Sequence, residues 1–327
     1  MLSRVADAIY WMNRYVERAE NIARFVDVNL ALEIDLPEAH GQSHWLALVQ
    51  AAGDEEAFAA RYGAVPTREN VMRFLTFDRE SPNSLLSVLS SARNNARTVR
   101  EVISSEMWEQ VNKSYLAVRD ASAHGIDTPH DFFTSVKQAS QLFVGITYLT
   151  MTHNEAWHFG RLGRLVERAD QTTRILDVKY FMGGEESALD ELQWAALLRS
   201  ASAMEMYRKR FGQVAPERVV EFLLFSRRFP RSVRYCLRKA ERSLHAITGV
   251  PIGTASTAAE RAVGRLAAEV EYGDIREVFA EGVHGYVDLL QLKLIRAGAA
   301  IRESFFAGAE PAPDQNPAES LWPRSES

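Results

Sequence analysis

Two segments of the chain carry the same arrangement of arginine and glutamate, residue types suited to binding anions or moving protons. In the first segment the candidate residues are Arg14, Glu17, Arg18 and Arg24. A guanidinium donates paired hydrogen bonds to a carboxylate or a phosphate. A glutamate in a closed pocket can serve as a general base. The set therefore predicts an anion site, a catalytic carboxylate or a group of structural ion pairs.

The second segment repeats the first at an offset of 150 residues. Residues 12–28 read MNRYVERAENIARFVDV and residues 162–178 read LGRLVERADQTTRILDV, with eight identities in 17 positions. The second set of candidate residues is Arg164, Glu167, Arg168 and Arg174. Five of the eight shared residues are charged, which helix composition alone does not produce. Such self-similarity predicts an internal duplication.

The element that must position the first set is a long amphipathic helix. Its apolar residues recur three and four positions apart, the spacing of one helix face: Ile9, Met12, Val16, Ala19, Ala23 and Val26. The charged residues form a second stripe beside this face, where Arg14–Glu17 and Glu20–Arg24 have the spacing of ion pairs within one helix.

The ordinary interpretation of the charged stripe is an exposed face, whose pairs contribute a few tenths of a kcal/mol each. An exposed face does not require the same charges in both copies, so the recurrence favours a buried or half-buried polar cluster. Arginine and glutamate of one copy would then pair with glutamate and arginine of the other. Burying such charges is costly unless they are paired and hydrogen-bonded.

Further matches extend the repeat over most of the chain; Trp45, for example, corresponds to Trp194. The pattern predicts an all-α fold of two tandem helical modules, residues 1–150 and 151–307, packed about a pseudo-twofold axis as one compact unit. Residues 308–327 are rich in proline, glutamate and serine, which predicts a disordered tail.

Helix signals place the longest elements. Residues 3–34 and about 154–181 are predicted to be the two charged helices. Long helices are also predicted over residues 83–105, about 255–271 and 274–306. No segment predicts a strand.

Composition restricts the class of protein. The chain has 327 residues, 46% hydrophobic and 25% charged, with a net charge of −5, as in ordinary globular proteins. This charge argues against nonspecific nucleic-acid binding.

The single cysteine, Cys236, excludes an intramolecular disulfide and a cysteine-based zinc site, and it aligns with Val88 as a predicted core residue. We predict a cytoplasmic location, because a single cysteine suits a reducing compartment. The N-terminus lacks a signal-peptide pattern, and no apolar run is long enough to span a membrane.

Two Glu-x-x-His pairs, Glu155/His158 and Glu281/His284, have the spacing of di-metal helix ligands. They do not occupy equivalent positions in the two copies, and chance produces such pairs in a chain of this composition. We therefore predict no metal site. No phosphate-binding loop or glycine-rich dinucleotide loop occurs, so we predict no cofactor and no ATP binding by this chain itself.

A basic stripe runs along the second copy. Arg231, Arg234, Arg238 and Arg242 recur at helical spacing within residues 227–242. Such a stripe can bind an acidic partner surface or RNA, but more often it is an exposed face in contact with solvent.

With these segments in view, the chain resembles the alpha-E domain family, bacterial all-helical proteins named for a Glu-Arg motif. The resemblance covers most of residues 1–307. A small departure is Asn13, which stands where the second copy has Gly163. The residues that match the motif are Glu17, Arg18, Glu167 and Arg168.

The resemblance implies partners rather than a reaction. Family members are typically encoded beside, or fused to, a circularly permuted ATP-grasp ligase and a transglutaminase-like peptidase. This implies an accessory or co-catalytic partner of the ligase in peptide or amino-acid conjugation, whose charged helices bind an anionic small molecule or peptide, or dock the ligase. Two alternatives remain: an enzyme with Glu17 or Glu167 as general base, and a scaffold whose charges only join the two halves.

Overall fold

A computed structural model describes residues 1–35, 41–63, 65–182 and 187–306. These residues form fifteen α-helices and no strand, which confirms the all-α prediction. The first seven helices are α1 (Ser3–Asp35), α2 (Gly41–Ala52), α3 (Glu55–Tyr62), α4 (Arg68–Thr76), α5 (Leu85–Thr98), α6 (Ser105–His124) and α7 (Pro129–Thr150). The others are α8 (Glu155–Met182), α9 (Ser187–Ser200), α10 (Met204–Phe211), α11 (Pro216–Phe225), α12 (Val233–Thr248), α13 (Ala258–Tyr272), α14 (Ile275–Glu281) and α15 (Val283–Phe305).

The two charged helices have the predicted extents, but two other long helices are shorter than predicted. Helix α5 ends at Thr98, and a turn then leads to Ser104, whose hydroxyl accepts a hydrogen bond from the backbone of Met107 and caps α6. The segment predicted as one helix over residues 274–306 is divided into α14 and α15 by Gly282, which has a φ of +90°. This left-handed conformation favours glycine and interrupts a helix. The predicted tail, residues 308–327, lies outside the described residues.

Helices α1 and α8 form the centre of the fold. Helix α1 packs against α5, α7 and α8, and α8 packs against α12, α15 and α1. In addition, α2 packs on α8 and α9 packs on α1. Each central helix therefore contacts helices from both sequence halves and is buried on most of its circumference. This environment places the charged stripes in the interior.

Two glycines allow α1 and α8 to approach closely. A Cβ atom on Gly163 would lie 2.3 Å from the backbone oxygen of Tyr10. A Cβ atom on Gly160 would lie 2.6 Å from Nδ2 of Asn13. The contact at Gly163 is with a backbone atom, so the crossing requires glycine there, whereas a side chain at residue 160 would require the Asn13 side chain to shift. The difference between Asn13 and Gly163 noted in the sequence thus lies at the helix crossing.

The described helices include none that combines the length and the apolar composition needed to cross a bilayer. Cys236 is fully buried on α12, as predicted for a small apolar core residue.

Candidate functional site

Glu167 on α8 receives two arginines from α1. Its oxygens accept hydrogen bonds from Nε and Nη2 of Arg18 at 2.6 and 3.0 Å, and from Nε of Arg14 at 2.8 Å. The remaining Nη1 of Arg18 donates to Oδ1 of Asn83 at 2.9 Å. Glu167 has no solvent exposure, so this is a buried charge network with a bidentate arginine at its centre.

Glu17 on α1 receives the reciprocal arginine from α8. Arg168 donates from Nε and Nη2 to the two oxygens of Glu17 at 2.8 and 2.7 Å. Arg231, from the segment before α12, adds a third contact at 3.3 Å and also donates to Glu20 at 2.5 Å. The two Glu-Arg motifs therefore bind each other across the helix crossing.

An arginine six residues further along each helix pairs within its own helix. Arg24 donates to Glu20 at 2.5 Å, and Arg174 donates to Asp170 at 2.8 Å. The predicted pair Glu20–Arg24 is thus present. The predicted pair between residues 14 and 17 is absent, because the arginine binds the opposite helix instead.

The environment keeps both central glutamates ionised. Burial alone would raise the pKa of Glu17, but Arg168 and Arg231 outweigh it and lower that pKa below its usual value. For Glu167, burial is likewise outweighed by Arg18 and Arg14, and the pKa is lowered. A carboxylate with a lowered pKa is a weak base at neutral pH. The arrangement therefore supports charge pairing better than proton transfer.

This lowering predicts a dependence of stability on acid. The folded state binds fewer protons at Glu17 and Glu167 than the unfolded state, so the stabilisation is complete above the ordinary glutamate pKa of 4.5. We expect the free energy of unfolding to fall as the pH drops below about 4.5. Urea denaturation between pH 7 and pH 3 measures this effect, and the Glu167→Gln variant should show a shallower decline. An equal decline in both proteins would contradict the assignment.

Arg164 is the exception to the pairing. Its equivalent, Arg14, binds a glutamate, but Nε of Arg164 is buried and has no hydrogen-bond partner among the described residues. Burial and the nearby Arg168 lower the pKa of Arg164 to about 10. The oxygens of Glu17 are occupied by Arg168 and Arg231, which explains the lost pairing.

A cavity of about 140 Å³ lies beside the Glu167 network. Its apolar lining residues include Trp11, Phe25 and Leu294. Ala299 of α15 also lines it and is exposed. Its charged lining residues are Arg14, Arg18, Asp54, Asp170, Arg174 and Arg302. The cavity thus combines cationic groups of fixed position with an apolar surface, as small-molecule sites do.

The space beside Glu17 is much smaller. A gap lined by Asn13, Glu20 and Arg164 leaves no space for a water molecule. On this side the long side chain of Arg231 reaches the network. On the other side the network is reached by the shorter Asn83, which also lines the cavity.

The structure brings all eight predicted residues to the helix crossing but divides them between its two sides. Arg14, Arg18 and Arg174 line the cavity, and Glu167 holds the first two in place. The predicted residues on the other side of the crossing are Glu17, Arg24, Arg164 and Arg168. Sequence reasoning missed Asp54, Asn83 and Arg302, because they come from segments outside the duplicated charged pattern.

The basic stripe is largely neutralised. Arg231 is buried in the central network, and Arg234 donates to Glu271 on α13 at 2.9 and 2.5 Å. Arg238 lies 3.7 Å from the same carboxylate, whereas Arg242 is exposed. The stripe therefore does not present four free cations to solvent, and its alternative role in binding RNA or an acidic surface loses support.

Similar proteins are known in mycobacteria. An uncharacterized protein of Mycobacterium bovis and two of Mycobacterium tuberculosis are each 25% identical to this chain over 305 residues. The alignments cover 86% of the chain but 34% of each relative, so the chain spans about a third of the length of the curated relatives it matches. No solved structure matches it. Residues 1–306 match Alpha-E, a predicted alpha-helical domain with a conserved ER motif, and the chain therefore belongs to the Alpha-E family.

Proposed function

We propose that the chain is an accessory or co-catalytic partner of an ATP-grasp-type peptide or amino-acid ligase in the cytoplasm, and that its cavity binds an anionic group. The observation that supports this is the cavity of about 140 Å³, which is lined by four arginines together with apolar residues. The ligase, and the transglutaminase-like protein as a further partner, come from the family resemblance.

The volume and charge of the cavity indicate its ligand class. A cavity of about 150 Å³ holds one benzene-sized molecule, so this one accommodates a single small group. Four arginines and two aspartates line it, which favours a carboxylate-bearing ligand. Arg18 and Arg174 are already oriented by Glu167 and Asp170, and such preorganisation lowers the entropic cost of binding. A peptide terminus or a free amino acid combines these properties.

The recurrence of contacts also supports an origin by duplication. The reciprocal pairs Arg18–Glu167 and Arg168–Glu17 have the same bidentate form. Asn83 stands between Pro82 and Ser84 where Arg231 stands between Pro230 and Ser232, and in this interpretation the halves diverged at this position. The longer side chain fills its side of the crossing, and the shorter one leaves a binding site.

Gly298 offers a direct test of the cavity. It lies on the cavity wall in α15, and an added Cβ atom there meets nothing within 4 Å. Replacing it with leucine should fill the cavity without displacing the backbone. We expect Gly298→Leu to reduce binding of a panel of amino acids, dipeptides and inorganic phosphate at least 10-fold by calorimetry. It should also reduce product formation by the reconstituted ligase.

Gly145→Leu is the matched control. Gly145 lies on α7, also has nothing within 4 Å of an added Cβ, and is not part of the cavity wall. This variant should keep both binding and product yield. If the two leucine variants behave alike, with the fold retained, the cavity is not the binding site. Absence of co-purification with the ligase would count against the partner itself.

The scaffold alternative is favoured by one observation: each central glutamate is fully engaged by arginines of the opposite helix. A pure scaffold predicts that Gly298→Leu leaves product formation unchanged, and that Arg18→Ala lowers stability while the folded fraction keeps full function. The general-base alternative is weaker, because the pKa values of Glu17 and Glu167 are lowered.

A further inference from the structure

A second polar cluster lies where α8 meets the start of α15. Asp177 is 5% exposed, and its Oδ1 lies 2.6 Å from Nδ1 of His284. Nε2 of Gln291 donates to the other oxygen at 3.4 Å. Asp288 is the third ionisable member, and the nearest ligand atoms of Asp177, His284 and Asp288 all lie within 4.8 Å of one another.

The first half contains a matching cluster, in which an aspartate of the central helix also contacts a histidine and a third residue, but its charges differ. Asp27 on α1 lies 2.8 Å from Nδ1 of His130 and 2.5 Å from Nζ of Lys137. Both histidines are the second residue of their helix, α7 or α15, and the third partner follows seven residues later in each case. At the position of Asp288, the first half has Thr134.

The first cluster thus carries its own cation, and the second does not. Going from the first to the second, the ammonium of Lys137 is replaced by the neutral amide of Gln291, and the hydroxyl of Thr134 by the carboxylate of Asp288. The cluster of the second half is therefore more negative than the cluster of the first half by two charges. A buried carboxylate needs a compensating charge, and only His284 remains to supply part of it. A neutral amide therefore takes the position of the ammonium, and the added negative charge of the second cluster is left for another cation to compensate.

We propose that Asp177, His284 and Asp288 bind a divalent first-row metal ion, with Gln291 as a neutral neighbour, where the first half uses Lys137. A histidine nitrogen with two carboxylates is a donor set that suits Zn²⁺ and Mn²⁺. The Tyr180 ring stacks on His284 with centroids 3.7 Å apart and planes at 1°, and this contact restricts the orientation of the imidazole ring. The partners of this histidine are aspartates, rather than the Glu281 suggested by the Glu-x-x-His spacing.

Calorimetry on the metal-free full chain with Zn²⁺ and Mn²⁺ tests the site. We expect one ion per chain for the unchanged protein. Gln291→Lys supplies the ammonium of the first half, and we expect metal affinity to fall at least 100-fold. Because the first half accommodates this lysine, the variant should fold, which circular dichroism verifies. Asp288→Thr removes a ligand, so it should weaken binding by at least the roughly 10-fold that loss of an outer-shell partner costs.

Two further variants distinguish this site from incidental binding. Glu281→Gln should retain the affinity of the unchanged chain. The double change Thr134→Asp with Lys137→Gln should create a second site and raise the stoichiometry to two. If the unchanged chain binds no ion, the cluster is only a His–Asp ion pair and the proposal is overturned. Affinity that is the same in Gln291→Lys and Asp288→Thr as in the unchanged chain would overturn it equally.

Discussion

Replacing Glu167 with glutamine is expected to lower the free energy of unfolding by about 3–5 kcal/mol. The change leaves Arg14 and Arg18 beside a neutral amide, although their side chains are only 12% and 10% exposed. An arginine deprived of its counter-charge cannot lose its proton at neutral pH, so the penalty of the unpaired buried charge remains in full. Urea denaturation at pH 7 measures the difference.

The matched control is Glu80→Gln. Glu80 also pairs with an arginine, Arg61, but its side chain is 82% exposed and the atoms are 3.8 Å apart. An exposed pair of this kind contributes about 1 kcal/mol or less. If the two variants lose similar stability, the central network does not hold the halves together, and the Glu-Arg motif must have another role.

Replacing Gly163 with alanine is expected to destabilise the fold by about 3 kcal/mol, at the upper end for an overpacked core position. The added methyl group would meet the backbone oxygen of Tyr10 at 2.3 Å, and backbone atoms inside a helix cannot move independently. Helices α1 and α8 must therefore separate, which would also lengthen the hydrogen bonds of both Glu-Arg pairs. Thermal and urea unfolding of the variant measure the loss.

Gly145→Ala provides a control, for which we expect the free energy of unfolding to rise instead of fall. Gly145 is also a helical glycine, but an added Cβ there meets nothing within 4 Å. Alanine stabilises an open helix position by about 0.5–1 kcal/mol relative to glycine. A destabilisation of equal size at both positions would show that helix propensity or general sensitivity, rather than the close crossing, explains the result at Gly163.

The two proposals depend on the same kind of position. In each, the two halves keep a common frame of charged residues and differ at a neighbouring side chain. Asn83 in the first half corresponds to Arg231 in the second. Asn83 lines the cavity, whereas Arg231 reaches into the charge network on the other side of the crossing. Lys137 in the first half corresponds to Gln291 in the second. The cluster around Asp27 therefore contains an ammonium group, and the cluster around Asp177 does not. Both proposals therefore predict that function in this chain depends on side chains that differ between matching positions of the two segments.

Much of the architecture was determined by the sequence alone. The periodic apolar residues of α1 predicted a helix from residue 3 to 34, and the observed helix is Ser3–Asp35. The repeated charges predicted that Glu17 and Glu167 are not ordinary surface residues, and both are buried. These inferences succeed because helix periodicity is a local property, and because arginine and glutamate at matching positions carry information that an exposed face does not need.

Only the tertiary structure decided how the charges pair and where the cavity lies. The spacing of Arg14 and Glu17 permits a pair within α1, yet Arg14 binds the opposite helix, because the glycines of α8 bring the two helices close together. The cavity depends on Asn83 and Arg302, which come from segments far from the motif. Crossing distance and the volume of distant side chains are non-local quantities, so no helical spacing in the sequence could reveal them.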